Sequence, residues 1–150
     1  MSNGFDFKKL RRLIMIYAVV QVILVALLLY FALLFQATLG PLFWKSIIFT
    51  LVIQLVNFYA VNLFATREAR REVAAVAIGL TPEELKAQRQ QRLTGDIIKM
   101  AVFGFFLVFA YKAPARPFIQ SLIFFNFILT YLTYFQCFNF AAKREMKSKG

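Results

Sequence analysis

The chain has no histidine and a single cysteine, Cys137. A zinc site built from Cys and His is therefore ruled out, as is a Ser-His-Asp or Cys-His catalytic unit. A disulfide scaffold is excluded too, because Cys137 has no second cysteine to pair with. Acidic residues are scarce: 7 Asp and Glu stand against 18 Lys and Arg, a formal net charge of +11. The strict alternation of apolar and polar residues that marks a membrane β-barrel is missing. What the chain has in excess is apolar side chains. Of its 150 residues, 61% are hydrophobic and 17% aromatic, and the mean hydropathy is +0.66. A soluble domain is nearer half apolar, so disorder and an ordinary water-facing fold are both excluded.

The apolar residues gather in four stretches, expected to span a membrane at residues 13–36, 46–65, 96–112 and 118–142. A helix needs roughly 20 apolar residues to cross the hydrocarbon core. With a barrel excluded, helices are the remaining way to satisfy the backbone in lipid. The reading is an all-α membrane protein, a single four-helix transmembrane domain. The third stretch is the shortest and holds Lys99, whose ammonium can snorkel to the interface. Lys8, Lys9, Arg11 and Arg12 resemble the basic start of a signal peptide. The apolar run behind them is too long for one, and no small-residue cleavage site follows, so a retained span is expected.

The basic residues set the expected orientation. Lys8, Lys9, Arg11 and Arg12 precede the first span. Arg67, Arg70, Arg71, Lys86, Arg89 and Arg92 lie between the second and third, and Lys143, Arg144, Lys147 and Lys149 follow the fourth. Only Lys45, Lys112 and Arg116 fall in the two short connections. The positive-inside rule then places both termini and the middle segment in the cytoplasm. The charge is explained by anchoring in the lipid bilayer, and no nucleic acid is needed as a partner. Gly40-Pro41 and Ala113-Pro114-Ala115-Arg116-Pro117 read as tight turns. Short loops make neighbouring helices antiparallel, so two hairpins joined by a cytoplasmic helical segment, residues 66–95, are expected.

In that segment Thr66–Ile78 consists of good helix formers and is expected to continue the second span. Gly79 occupies a C-cap position. Thr81-Pro82-Glu83-Glu84 reads as a capping box with proline at the first helical position, starting a helix that runs toward Arg92 and the third span. Val73, Ala74, Ala77 and Ile78 make an apolar side that must bury against something. Its own partner helix, through Leu80, Leu85 and Leu93, is the expected cover, with the membrane surface or a protein as alternatives. Arg67, Arg70, Arg71, Val73 and Ile78 are the partner-binding candidates. Glu68 with Arg71 and Glu72, and Glu83 and Glu84 with Lys86, read as solvated charged faces.

Polar residues inside the spans carry the remaining signal. Asp96 and Lys99 lie three apart on one helix face, which suits an ion pair. An ionisable pair in a span is a functional candidate. An acidic residue favoured by the helix N-terminus and a snorkelling lysine give the structural alternative. Gln54 and Asn57 share a face of the second span, and Asn62 follows. Asn126, Thr130 and Thr133 fall within about a 60° stripe of the fourth. These side chains read as interhelical glue or, more sharply, as the lining of a wet path. The rings of charge usual at a pore constriction are missing. The fourth span is aromatic on nearly every side, and Trp44 and Tyr111 fit an outer belt. Cys137 reads as inert packing.

The layout resembles the ATP synthase subunit I family, small membrane proteins encoded with bacterial F-type ATP synthases. The local likeness is Gly95-Asp96-Ile97-Ile98-Lys99, together with Asn57, the Phe-rich stretch after it, and Arg67. The resemblance implies a non-enzymatic accessory protein that assists assembly of the rotor ring; a role in supplying divalent cations has been proposed for some members. It makes Asp96 and Lys99 the carried-over pair and Asn57 a secondary candidate. No cofactor is implied. Membrane protein partners or a homo-oligomer are expected, and a homo-oligomeric ion channel or pore is the alternative function. An enzyme ranks last, because acid–base chemistry needs positioned titratable groups, and only Asp96 and Lys99, both at a span edge, are available.

Overall fold

The computed structural model describes residues 7–77 and 81–149. Among them are four α-helices: α1 (Phe7–Leu39), α2 (Pro41–Ala77), α3 (Pro82–Lys112) and α4 (Pro117–Lys149). All four are long and apolar enough to cross a membrane, and the protein is an all-α membrane protein. Three of the helices begin with proline. Proline suits that position because its fixed φ is helical and the N–H it lacks would be unpaired there anyway.

The connections are even shorter than expected. Gly40 alone separates α1 from α2, at φ +50, a left-handed conformation that a side chain disfavours. α3 ends at Lys112, where the Ala113 N–H still reaches the Phe109 carbonyl at 2.9 Å. Pro114 and Pro117 bar the helix from continuing through the turn. The Thr81 capping box is present in full. The Thr81 backbone N–H donates to Glu84 Oε2 at 2.8 Å, and the Glu84 N–H donates to Thr81 Oγ1 at 3.4 Å. Ile78, Gly79 and Leu80 lie outside the described residues.

α2 runs unbroken from the second span through residues 66–77, and α3 runs unbroken from its cap through the third span. The short third stretch thus belongs to a helix of 31 residues. At about 1.5 Å per residue the four helices measure about 46–55 Å, against about 30 Å of hydrocarbon. The surplus gathers at the end of the bundle where α1 begins and α4 ends, called here the basic end.

α4 is the central helix. It packs most extensively on α2, then on α1, and least on α3, while α1 and α2 touch only lightly. Tight turns therefore do not make sequence neighbours the main packing partners; the ring-covered α4 draws contacts from all sides. Tyr17–Phe135, Phe31–Phe125 and Phe35–Phe118 ring contacts run α1 antiparallel to α4. Gln54–Asn126 and Arg70–Glu145 run α2 parallel to it.

Two apolar clusters hold the ends. At the turn end Ala32, Phe43, Phe118 and Leu122 bury together, with Leu28, Phe35, Leu39 and Ile47 packed around them. At the basic end Ala69 and Val73 of α2 meet Ala141 and Ala142 of α4, under Phe138 and Met146. Lipid is as apolar as these side chains, so close packing of small residues, rather than escape from water, drives association within the membrane. The second cluster corrects an expectation. Val73 is covered by α4, not by the start of α3, where Leu85 and Leu93 remain exposed. The α4 tail is long enough to run beside α2 beyond the span, and it reaches that face first.

Candidate functional site

The ionisable residues converge where α2, α3 and α4 meet, near the basic end. At the centre is Glu68. Sequence neighbours made it part of a solvated face, yet its side chain is only 8% exposed. α4 and α3 both lie over it. Tyr134 donates its hydroxyl to Glu68 Oε2. The Lys99 ammonium sits 3.2 Å from the same oxygen, and the Arg71 guanidinium 3.5 Å from Oε1. Burying a carboxylate costs heavily unless it is paired and hydrogen-bonded, and these three donors supply that pairing.

Gly95 makes the approach possible. It is buried in α3, and a Cβ added there would collide with Glu68 Oε1. An interior glycine costs a helix about 1 kcal/mol relative to alanine; here it makes room for the carboxylate. Lys99 is held from several sides. Its Nζ lies 5.0 Å above the Tyr134 ring, and its backbone carbonyl accepts the Tyr131 hydroxyl at 2.9 Å.

The Asp96–Lys99 pair expected from spacing is present at 3.4 Å, with Asp96 69% exposed. Lys99 therefore faces two carboxylates, and the buried, closer one is Glu68. A second bridge lies one turn outward, where Arg92 grips both Glu72 oxygens, with Nε at 2.8 Å. That contact raises the Arg92 pKa, first through the hydrogen bond and then through the charge. Together with Phe138 these groups line an open cavity of about 280 Å³. The Arg71 Nε is buried there without a hydrogen-bond partner among the described residues. Among the described residues no three His, Cys, Asp or Glu side chains gather as a metal-holding group. The cavity's cations and carboxylates mostly neutralise each other, an arrangement suited to locking helices together.

The other candidates divide. Gln54 donates from α2 to the Asn126 side chain of α4. Asn126 also donates to its own helix at the Leu122 carbonyl, 2.9 Å, and Thr130 Oγ1 donates to the Asn126 carbonyl at 2.7 Å. These contacts are interhelical glue. Asn57 is half-buried, with no side-chain hydrogen bond among the described residues. Thr133 faces a separate groove, as does Cys137, which is half-buried rather than packed inside. Arg67 is exposed, Arg70 pairs with Glu145 at 2.9 Å, and Val73 is buried in the α2–α4 cluster. Ile78 lies outside the described residues.

Glu68 is the residue that reading the sequence missed. Its signal was faint: a glycine one turn before Lys99 marks a close approach, and a carboxylate on the neighbouring helix is what could fill it. No family model matches the chain, and no match was found among curated proteins or solved structures.

Proposed function

We propose that the chain is a non-enzymatic accessory protein of the bacterial inner membrane, with both termini in the cytoplasm. We infer that it assists assembly of a larger membrane complex, with the F-type ATP synthase rotor ring as the candidate from the resemblance around Gly95–Lys99. One observation carries the reading. In α3 the two charged residues of that motif behave differently: Lys99 turns inward to lock the bundle, while Asp96 stays exposed. α3 buries only Gly95 and Phe106. Its Ile97, Met100, Phe105, Val108 and Tyr111 are open. A helix pinned at one end by ion pairs, with an apolar flank and one exposed carboxylate, suits lateral contact with a partner helix carrying a basic group.

The test is a tagged pull-down in mild detergent, with the mass of the intact assembly measured. Recovery of rotor or stator subunits, reduced by Asp96→Asn, is the expected result. A large homo-oligomer without partners would overturn the reading and favour the ion pathway. Cation uptake into liposomes sensitive to Asp96→Asn would then be the next measurement.

A further inference from the structure

A second, larger cavity is a groove of about 760 Å³ between α1, α2 and α4, away from the ion cluster. Its floor is apolar, with Val25, Phe58 and Leu129 along it. Toward the basic end four polar side chains join the lining, Asn62 and Thr66 from α2 and Thr133 and Gln136 from α4, beside Phe140 and Ala141; Gln54, bonded to Asn126, stands at the turn end. None of those four side chains has a hydrogen-bond partner among the described residues. Arg144 stands at the groove's basic end. It makes no ion pair among the described residues, since the adjacent Glu145 is taken by Arg70. No carboxylate lines the groove.

We propose that this groove binds an anionic phospholipid, with its phosphodiester on Arg144 and an acyl chain along Val25, Phe58 and Leu129. A cation at one end, free polar groups next to it and a largely apolar stretch beyond them are what a lipid's headgroup, ester region and acyl chain require. An unpaired guanidinium with exposed N–H groups is a bidentate phosphate donor. The amides and hydroxyls sit next along the groove, where glycerol ester carbonyls can accept from them; left to hydrocarbon alone, each would be costly. The apolar floor then follows, which a free phosphate would not need. Basic pockets between spans at the cytoplasmic side are suited to anionic headgroups, and the volume falls in the range of ligand sites.

The test uses the full chain with Trp44→Phe and Phe58→Trp, which puts one tryptophan in the groove. The protein is reconstituted in phosphatidylcholine vesicles containing a minor fraction of phosphatidylglycerol, with acyl-chain bromines on one lipid or the other. Brominated phosphatidylglycerol is expected to quench the tryptophan at position 58 more strongly than the same fraction of brominated phosphatidylcholine. Arg144→Gln should lower that selectivity about fivefold, the effect of one basic residue near an anionic surface, and Arg144→Lys should restore most of it. In the unaltered chain Trp44, at the far end, should be quenched equally by both lipids. Equal quenching by both lipids at position 58 overturns the proposal, as does selectivity that survives Arg144→Gln. Absence of quenching by either lipid also overturns it, and a dimeric mass would then assign the groove to a second copy of the chain.

Discussion

Lys99 has two carboxylates to choose between, and removing it shows which one matters. In Lys99→Met, Glu68 loses the ammonium at 3.2 Å and keeps the Tyr134 hydroxyl and the Arg71 guanidinium at 3.5 Å. Removing one member of a fully buried pair costs about 3–5 kcal/mol. Lys99 is 31% exposed and two donors remain, so solvent and neighbours absorb part of the loss. The expected destabilisation is about 2 kcal/mol, roughly 30-fold in the folding equilibrium. Asp96→Asn removes a partner that is 69% exposed at 3.4 Å, and such exposed pairs contribute about 0.3–0.5 kcal/mol. A double-mutant cycle makes the contrast independent of each variant's side effects. Coupling of Glu68→Gln with Lys99→Met should be about 1–2 kcal/mol, and coupling of Asp96→Asn with Lys99→Met below about 0.5 kcal/mol. Reversible unfolding in mixed micelles, followed by far-UV circular dichroism, measures both. A larger coupling to Asp96 than to Glu68 would refute the burial-based reasoning.

Gly95→Ala pits helix propensity against packing. Propensity alone predicts about 1 kcal/mol of stabilisation, but the new Cβ would meet Glu68 Oε1, so a net loss of about 1–3 kcal/mol is expected; a higher unfolding midpoint than the unaltered chain would contradict it. Gln54→Leu strips the Asn126 side-chain oxygen of its α2 donor and should cost about 1 kcal/mol in the same unfolding assay, an unchanged midpoint being the contrary result. Glu84 is held below the usual carboxylate pKa, first by the Thr81 backbone N–H and then by its hydroxyl. The folded value being the lower one, the cap's contribution is complete above the ordinary carboxylate value and is lost as pH falls through the folded one. Protection of the Thr81 amide from hydrogen exchange, taken relative to the intrinsic rate at each pH, should therefore fall on acidification, and Glu84→Gln should remove that dependence.

The helices were legible because each signal is local. A proline at a first turn, a threonine three before a glutamate, and an unbroken apolar run act within a few residues, and no neighbour is needed to interpret them. The same locality misled at Glu68. Beside Arg71 and Glu72 in a basic stretch it reads as solvated, and only the arrival of Lys99 and Tyr134 from other helices buries it. Val73 shows the same limit: periodicity declared an apolar side, and the identity of its cover, Ala141 and Ala142, depended on how far α4 extends. Gln54 and Asn126 were each visible as polar residues in a span, but their mutual hydrogen bond was not.

The sequence by itself determined four membrane-length helices, the proline and glycine turns between them, and the asymmetry of charge between the two ends. Those follow from backbone hydrogen bonding in lipid, proline and glycine geometry, and composition. The tertiary structure decided which polar groups meet. A helical pattern assigns each side chain an angle about its own axis but not the neighbour at that angle. Here α4 took the centre and drew α1 and α2 onto it. A missing Cβ at Gly95 let α3 close over Glu68. Those two packing events made Glu68–Lys99–Tyr134 an interlock, left Asp96 outside it, and opened the groove that ends at Arg144.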